Sequence, residues 1–142
     1  MNKYFKFCKI LLETNFHIPN LNDEEEEFDL HSSALNIPKQ ELMKNPKMQD
    51  LSDFDWKNLE NTDSWETDTV EKARNLAQEY DKDFDSILHA YKNKKSLPAP
   101  IVYKKSNGNL FLIGGNTRLM AAKALGIRPK VLMTGNHNEK LA

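Results

Sequence analysis

Cysteine is nearly missing from this 142-residue chain, which carries Cys8 alone. One thiol cannot form an intramolecular disulfide, and four scattered histidines beside it give no zinc-ligand spacing. Long apolar runs are missing too. No stretch approaches the roughly 18–20 residues of a membrane span, and Met1–Leu12 passes into Glu13 without the small-residue cleavage site of a secretory signal. These gaps lead us to expect a reducing setting, no structural metal and no membrane. Glycine is scarce and unevenly placed, since all five lie between Gly108 and Gly135. A net charge of one sign is missing from the total of -1 but not from its parts. From Ser86 onward ten lysines and arginines face Glu139 alone, which leaves the first 85 residues strongly acidic. The basic part suits an anionic ligand, although solvated surface lysines explain the same count.

What is present suits one small core with polar segments around it: 39% apolar residues, 29% charged residues and a mean hydropathy of -0.71. Residues 2–13 carry Tyr4, Phe5, Phe7, Leu11 and Leu12 near a helical repeat, and Phe16–Asn20 breaks it at Pro19. The acidic run Asp23–Asp29 reads as a solvated loop or mobile linker. Ile37–Met43 forms one or two helical turns with Pro38 at the first. Residues 45–68 have no period and read as irregular structure whose Trp56 and Trp65 pack on the core. Asp68 followed by Glu71 resembles a capping box for a helix through Tyr80. A second helix starts near Asp83, with Phe84, Ile87, Leu88 and Tyr91 on one face.

From Pro98 the order becomes strand, turn, strand, turn, helix, strand. Pro100-Ile101-Val102-Tyr103 is β-rich, and Ser106-Asn107-Gly108-Asn109 is a hairpin turn with the Asn-Gly pair of type I′. Leu110–Ile113 is a continuous apolar strand, Thr117–Leu125 a helix with Gly126 at its left-handed end, and Pro129–Met133 a closing strand. A strand that stops at Gly114-Gly115 and passes directly into a helix presents unpaired N–H groups and the positive dipole end to an anion. Asn116 is the expected N-cap, Thr117 offers a hydroxyl, and Arg118 adds a charged fork suited to phosphate oxygens. The competing reading is a tight turn with Arg118 in a surface ion pair. The spacing is neither that of a Walker loop nor that of a dinucleotide fingerprint.

Leu97–Val102, then Leu110–Gly115, then Asn116–Ile127 together resemble the ParB-like (ParB/sulfiredoxin) domain, with its hairpin and its G-x-x-R-x-x-A-A-x-x-x-G turn and helix. Gly115, Arg118, Ala121, Ala122 and Gly126 match that pattern, and the likeness covers about residues 84–134. It implies an α+β fold with a small mixed sheet and a strand–GGxxR turn–helix unit over 68–142, preceded by a mainly helical and irregular acidic segment over 1–67. It further implies phosphates of a nucleotide, CTP or ATP with Mg2+, at Gly114, Gly115, Asn116, Thr117 and Arg118. Lys94, Lys95, Lys104 and Lys105 are candidate auxiliary contacts, although Lys104-Lys105 at a hairpin edge also deters edge pairing. The sulfiredoxin-like cysteine is replaced by Asn116-Thr117, and only one of the arginines usual in ParB remains. No helix-turn-helix follows in this chain.

Three functions stay open on these residues. The first is a nucleotide-binding module acting near DNA in the cytoplasm of a bacterium or a phage-infected cell, since small acidic-fronted members resemble those of tailed bacteriophages. The second is a nucleotide-dependent phosphotransferase or nuclease, for which Asp63, Asp68, Glu71, Asp83 and Asp85 are candidate carboxylates. The third is a non-catalytic interaction module binding a basic protein through Asp23–Asp29.

Overall fold

Side-chain alternation in the last third decides which way each strand faces, and the sheet follows from it. The computed structural model describes residues 16–64, 69–79, 82–93 and 95–138. The helix expected over 2–13, Trp65, Asp68, Tyr80 and Lys94 lie outside them. Strand β1 (Phe16–His17) pairs in parallel with β3 (Leu97–Pro98) as a two-stranded sheet. The main sheet has four strands: β2 (Lys47–Asp50), β4 (Ile101–Lys104), β5 (Leu110–Gly114) and β6 (Lys130–Gly135), in the order β2-β6-β4-β5. Its β4–β6 pair is parallel and its other pairs are antiparallel.

Six α-helices flank the sheets among the described residues: α1 (Glu25–Leu35), α2 (Lys39–Leu42), α3 (Asp53–Lys57), α4 (Val70–Glu79), α5 (Phe84–Lys92) and α6 (Asn116–Leu125). The fold is mixed α+β. None of these helices is long and apolar enough to cross a membrane.

The period of two sorts the core into layers. Val102, Leu110, Leu112, Val131 and Met133 face Leu119 of α6, while Ile101, Tyr103, Ile113 and Leu132 meet Phe28 of α1 and Leu42 of α2. A third cluster joins Ala73 and Ala77 of α4, Phe84, Leu88 and Tyr91 of α5, and Met120 and Ala121 of α6. The outer edge of β5 is covered by the chain at Glu60, whose amide donates to the Leu110 carbonyl and whose carbonyl accepts from Leu112 N, both at 2.9 Å.

Several local expectations hold and others need correction. Helices α4 and α5 form at the expected places, although the cap seen at α4 is Thr69 Oγ1 accepting from Lys72 N at 3.2 Å, one residue after the expected Asp68; Asp83 caps α5 through Ser86 N at 3.1 Å. Gly126 ends α6 in the left-handed conformation, φ 70°. The hairpin is present, but Gly108 alone takes a positive φ, and its amide donates to the Lys105 carbonyl at 2.9 Å. A type I turn followed by a left-handed glycine therefore replaces type I′, which needs both central residues at positive φ.

The run Asp23–Asp29 is not a loop or linker. It spans a 3-10 turn (Leu21–Glu24) and the first half of α1, because Phe28 is fully buried and fixes that face. Residues 45–68 are not irregular throughout, since β2 pairs with β6 over four residues and Ser52 Oγ caps α3 by accepting from Asp55 N at 3.1 Å. The stretch ahead of residue 68 thus gives the main sheet an edge strand and the core Phe28, Leu42 and Leu51. Trp56 does pack on the core, and its indole N–H donates to Ser64 Oγ at 2.9 Å.

Candidate functional site

Strand β5 delivers Gly114 to the floor of a cleft of about 820 Å³, and the chain turns into α6 within two residues. The N-cap of α6 is Gly115, at φ 102° and ψ 21°, and among the described residues no side chain caps the helix. Asn116 is therefore the first helical residue and not the cap. The first intrahelical bond is donated by Leu119 N to the Gly115 carbonyl at 3.0 Å, so the amides of Asn116, Thr117 and Arg118 precede it. All five residues of the Gly114–Arg118 turn line the cleft.

Asn116 has a different task from the one expected. Its Oδ1 accepts from Thr62 Oγ1 at 2.8 Å and from Asp63 N at 3.0 Å, while its Nδ2 donates to Asp63 Oδ2 at 3.0 Å. One amide thus fastens the segment before residue 65 to the start of α6 and sets Asp63 at the cleft. Asn116→Ala removes these three bonds, together with a long contact from Nδ2 to Met120 Sδ at 4.0 Å. At about 1 kcal/mol each, with partial rescue by water, the expected loss is roughly 2 kcal/mol. Chemical denaturation should show it as a lower midpoint with an unchanged slope.

Arg118 is drawn into the fold, and its ion pair is not a surface one. Its side chain is 16% exposed, and Nη2 lies 3.8 Å from Oε1 of Glu24, itself 19% exposed. That separation gives Coulombic attraction without a hydrogen bond. Arg118 Nε and Nη2 are closed off from solvent and have no hydrogen-bond partner among the described residues. Burial pushes the guanidinium pKa down, and the charge of Glu24 and then Tyr91 pull it back up. Tyr91 supports the turn from beneath, its buried hydroxyl donating to the Arg118 carbonyl at 3.0 Å. Burial pushes that phenol up, and the Arg118 charge works against the shift.

The walls bring residues that sequence reasoning missed. The cleft is lined by Glu24 and by Glu27 and His31 of α1, with Asn61 and Lys82 from the connecting segments. His31 Nε2 stands 3.5 Å from Glu27 Oε2, and its ring meets Phe111 edge-on at 5.4 Å. Positions 24, 27 and 31 are three and four apart, the spacing of one helical face, and that was the available signal. The acidic run is already divided, because Glu24 and Glu27 turn to the cleft while Glu25 and Asp29 share Lys39 at 2.7 and 3.1 Å.

Among the candidate carboxylates, Asp63 and Asp83 line the cleft. Asp83 is taken up as a cap, its carboxyl held below its ordinary value by the hydroxyl and then the amide of Ser86. Asp85 pairs with Arg74 at 3.0 Å, and Glu71 is exposed on α4. Of the auxiliary lysines, Lys95, Lys104 and Lys105 are absent from the lining, Lys105 Nζ donating to Glu60 at 2.9 Å, and Lys94 lies outside the described residues. Among the described residues Lys82 is the lysine that lines the cleft. In comparisons with known proteins, no family model, curated protein or solved structure matches this chain.

Proposed function

We propose that this chain is a phosphate-binding module of the ParB/sulfiredoxin-like kind whose ligand is a nucleoside triphosphate, CTP or ATP, held by its phosphates at Gly114–Arg118. The observation that carries this reading is the state of Arg118. Two of its nitrogens are enclosed and unbonded among the described residues, and buried donors without acceptors are costly. A cation at a helix N-terminus is also unfavourable without a negative partner. Glu24 at 3.8 Å answers the charge but not the donors. Phosphate oxygens answer both, and the uncapped start of α6 adds backbone donors. A cleft of about 820 Å³ leaves room for a nucleoside beyond the phosphates.

Among the described residues no group of three or more His, Cys, Asp or Glu side chains converges to hold a metal ion. Magnesium would enter this cleft only as a companion of the phosphates, its usual manner of binding, with Glu27 and Asp63 among the carboxylates that line it. It would neutralise phosphate charge there. The same two carboxylates and His31 favour a second reading, phosphoryl transfer, because an acid or base then stands in the cleft that takes the phosphates.

Calorimetric titration with CTP, ATP and GTP tests the proposal. The wild type should bind at least one of them, and Arg118→Ala should weaken that binding roughly 10–100-fold, as losing hydrogen bonds to a charged group implies. No binding by the wild type, or binding unchanged by Arg118→Ala, sinks it. Assaying the ATP samples for ADP separates transfer from binding alone.

A further inference from the structure

We propose that Glu24 is a built-in occupant of the Gly114–Arg118 anion seat, and that a polyphosphate binds by displacing its carboxylate. The inference rests on the phosphate-binding reading above and adds how that site is regulated. Glu24 Oε2 lies 3.1 Å from the point where a Cβ on Gly114 would stand, so the carboxylate rests against the glycine turn itself. Its Oε1 is the acidic oxygen beside Arg118 Nη2, at 3.8 Å. The carboxylate thus stands beside the glycine turn and its arginine, close to the start of α6, where the local physics favours an anion.

The pair is enclosed but loose. Exposed pairs elsewhere in the chain close to hydrogen-bonding distance, with Lys39–Glu25 at 2.7 Å and Arg128–Asp53 at 2.6 Å. Glu24 and Arg118, at 19% and 16% exposure, stay 3.8 Å apart and leave Nε and Nη2 unfilled. Glu24 therefore neutralises the arginine without satisfying it. A phosphate, with more oxygens and more charge, does both, so it has a differential interaction with which to expel the carboxylate.

Displacement does not require the helix to move. Glu24 sits where the 3-10 turn meets α1, and α1 is held by Phe28, which is fully buried. Rotation about the side-chain bonds of Glu24 frees the seat, and the cleft it lines gives the carboxylate space to enter. A singly charged anion gains little over the resident carboxylate. A di- or triphosphate gains more, so the device selects for charge.

Titration of the full chain with inorganic pyrophosphate and with ATP tests the inference in wild type, Glu24→Gln, Glu25→Gln and Arg118→Ala. If Glu24 fills the seat about nine-tenths of the time, removing its charge tightens binding about tenfold. Glu24→Gln should show that gain, and Arg118→Ala should weaken binding. Glu25→Gln removes the same charge one residue away on the Lys39 side, outside the cleft lining, and should change affinity little. Wild-type binding that Glu24→Gln leaves unchanged or weakens overturns the displacement while the phosphate seat stands. An equal gain in Glu25→Gln overturns it too, in favour of a general field effect. If neither wild type nor Glu24→Gln binds, with both folded by circular dichroism, the seat and its occupant fall together.

Discussion

Gly115→Ala is expected to lower the thermal midpoint by about 10 °C or more and to remove phosphate binding at any ligand concentration that saturates the wild type. Gly115 holds φ 102°, where an L side chain is strained. It also has no room, because an added Cβ would lie 2.8 Å from both Cα and Cβ of Pro100 and 2.9 Å from Arg118 Nη2. The arginine end can shift, but the Pro100 backbone cannot shift cheaply, since its carbonyl accepts from Leu132 N at 2.8 Å in the main sheet. Strain of about 1–2 kcal/mol and overpacking of about 1–3 kcal/mol point to a loss near 3 kcal/mol. In a chain of this size that corresponds to roughly 10 °C.

Gly126→Ala is the internal comparison. Gly126 also takes a left-handed φ, 70°, but a Cβ there meets nothing within 4 Å. It should cost only the strain, about 1 kcal/mol, and leave binding intact. Equal effects at the two glycines in thermal unfolding would remove the close approach at Gly115 from the account.

The contrast between these glycines marks what the sequence could convey. Gly126 was legible because a helix rich in alanine and leucine followed by glycine ends in one way whatever surrounds it. The β5–turn–α6 unit was legible for the same reason, since an apolar run, two glycines and a helical stretch are local signals. Asn116 was half legible. An amide at a helix start suggests a cap, yet Gly115 takes that place and Asn116 reaches across to Thr62 and Asp63, more than 50 residues earlier. No local rule selects such a partner.

The acidic wall was hidden for a different reason. Seven residues with six charges look solvated, and only Phe28 shows that one face is buried. Strand β2, Lys-Met-Gln-Asp, has no β-branched or aromatic residue, so its extended form comes from pairing with β6 and not from propensity. In both cases tertiary contact decides the local structure, and the half of the cleft built by Glu24, Glu27 and His31 went unread with it.

Phe28→Ala tests whether that wall belongs to the same cooperative unit as the turn. Phe28 is 0% exposed and packs with Leu42, Ile101, Tyr103, Ile113 and Leu132, so it ties α1 and α2 to strands β4, β5 and β6. Truncating a fully buried phenylalanine costs about 3–5 kcal/mol through lost transfer energy and the cavity left behind. The expected midpoint shift is about 10–20 °C. A front segment folding by itself would show an early transition for α1 and a second one, unmoved, for the sheet. The shared core requires a single transition that moves as a whole, detected in parallel by far-ultraviolet circular dichroism and by tryptophan fluorescence. Two separated transitions would detach α1 from the sheet and, with it, Glu24 from the Arg118 turn.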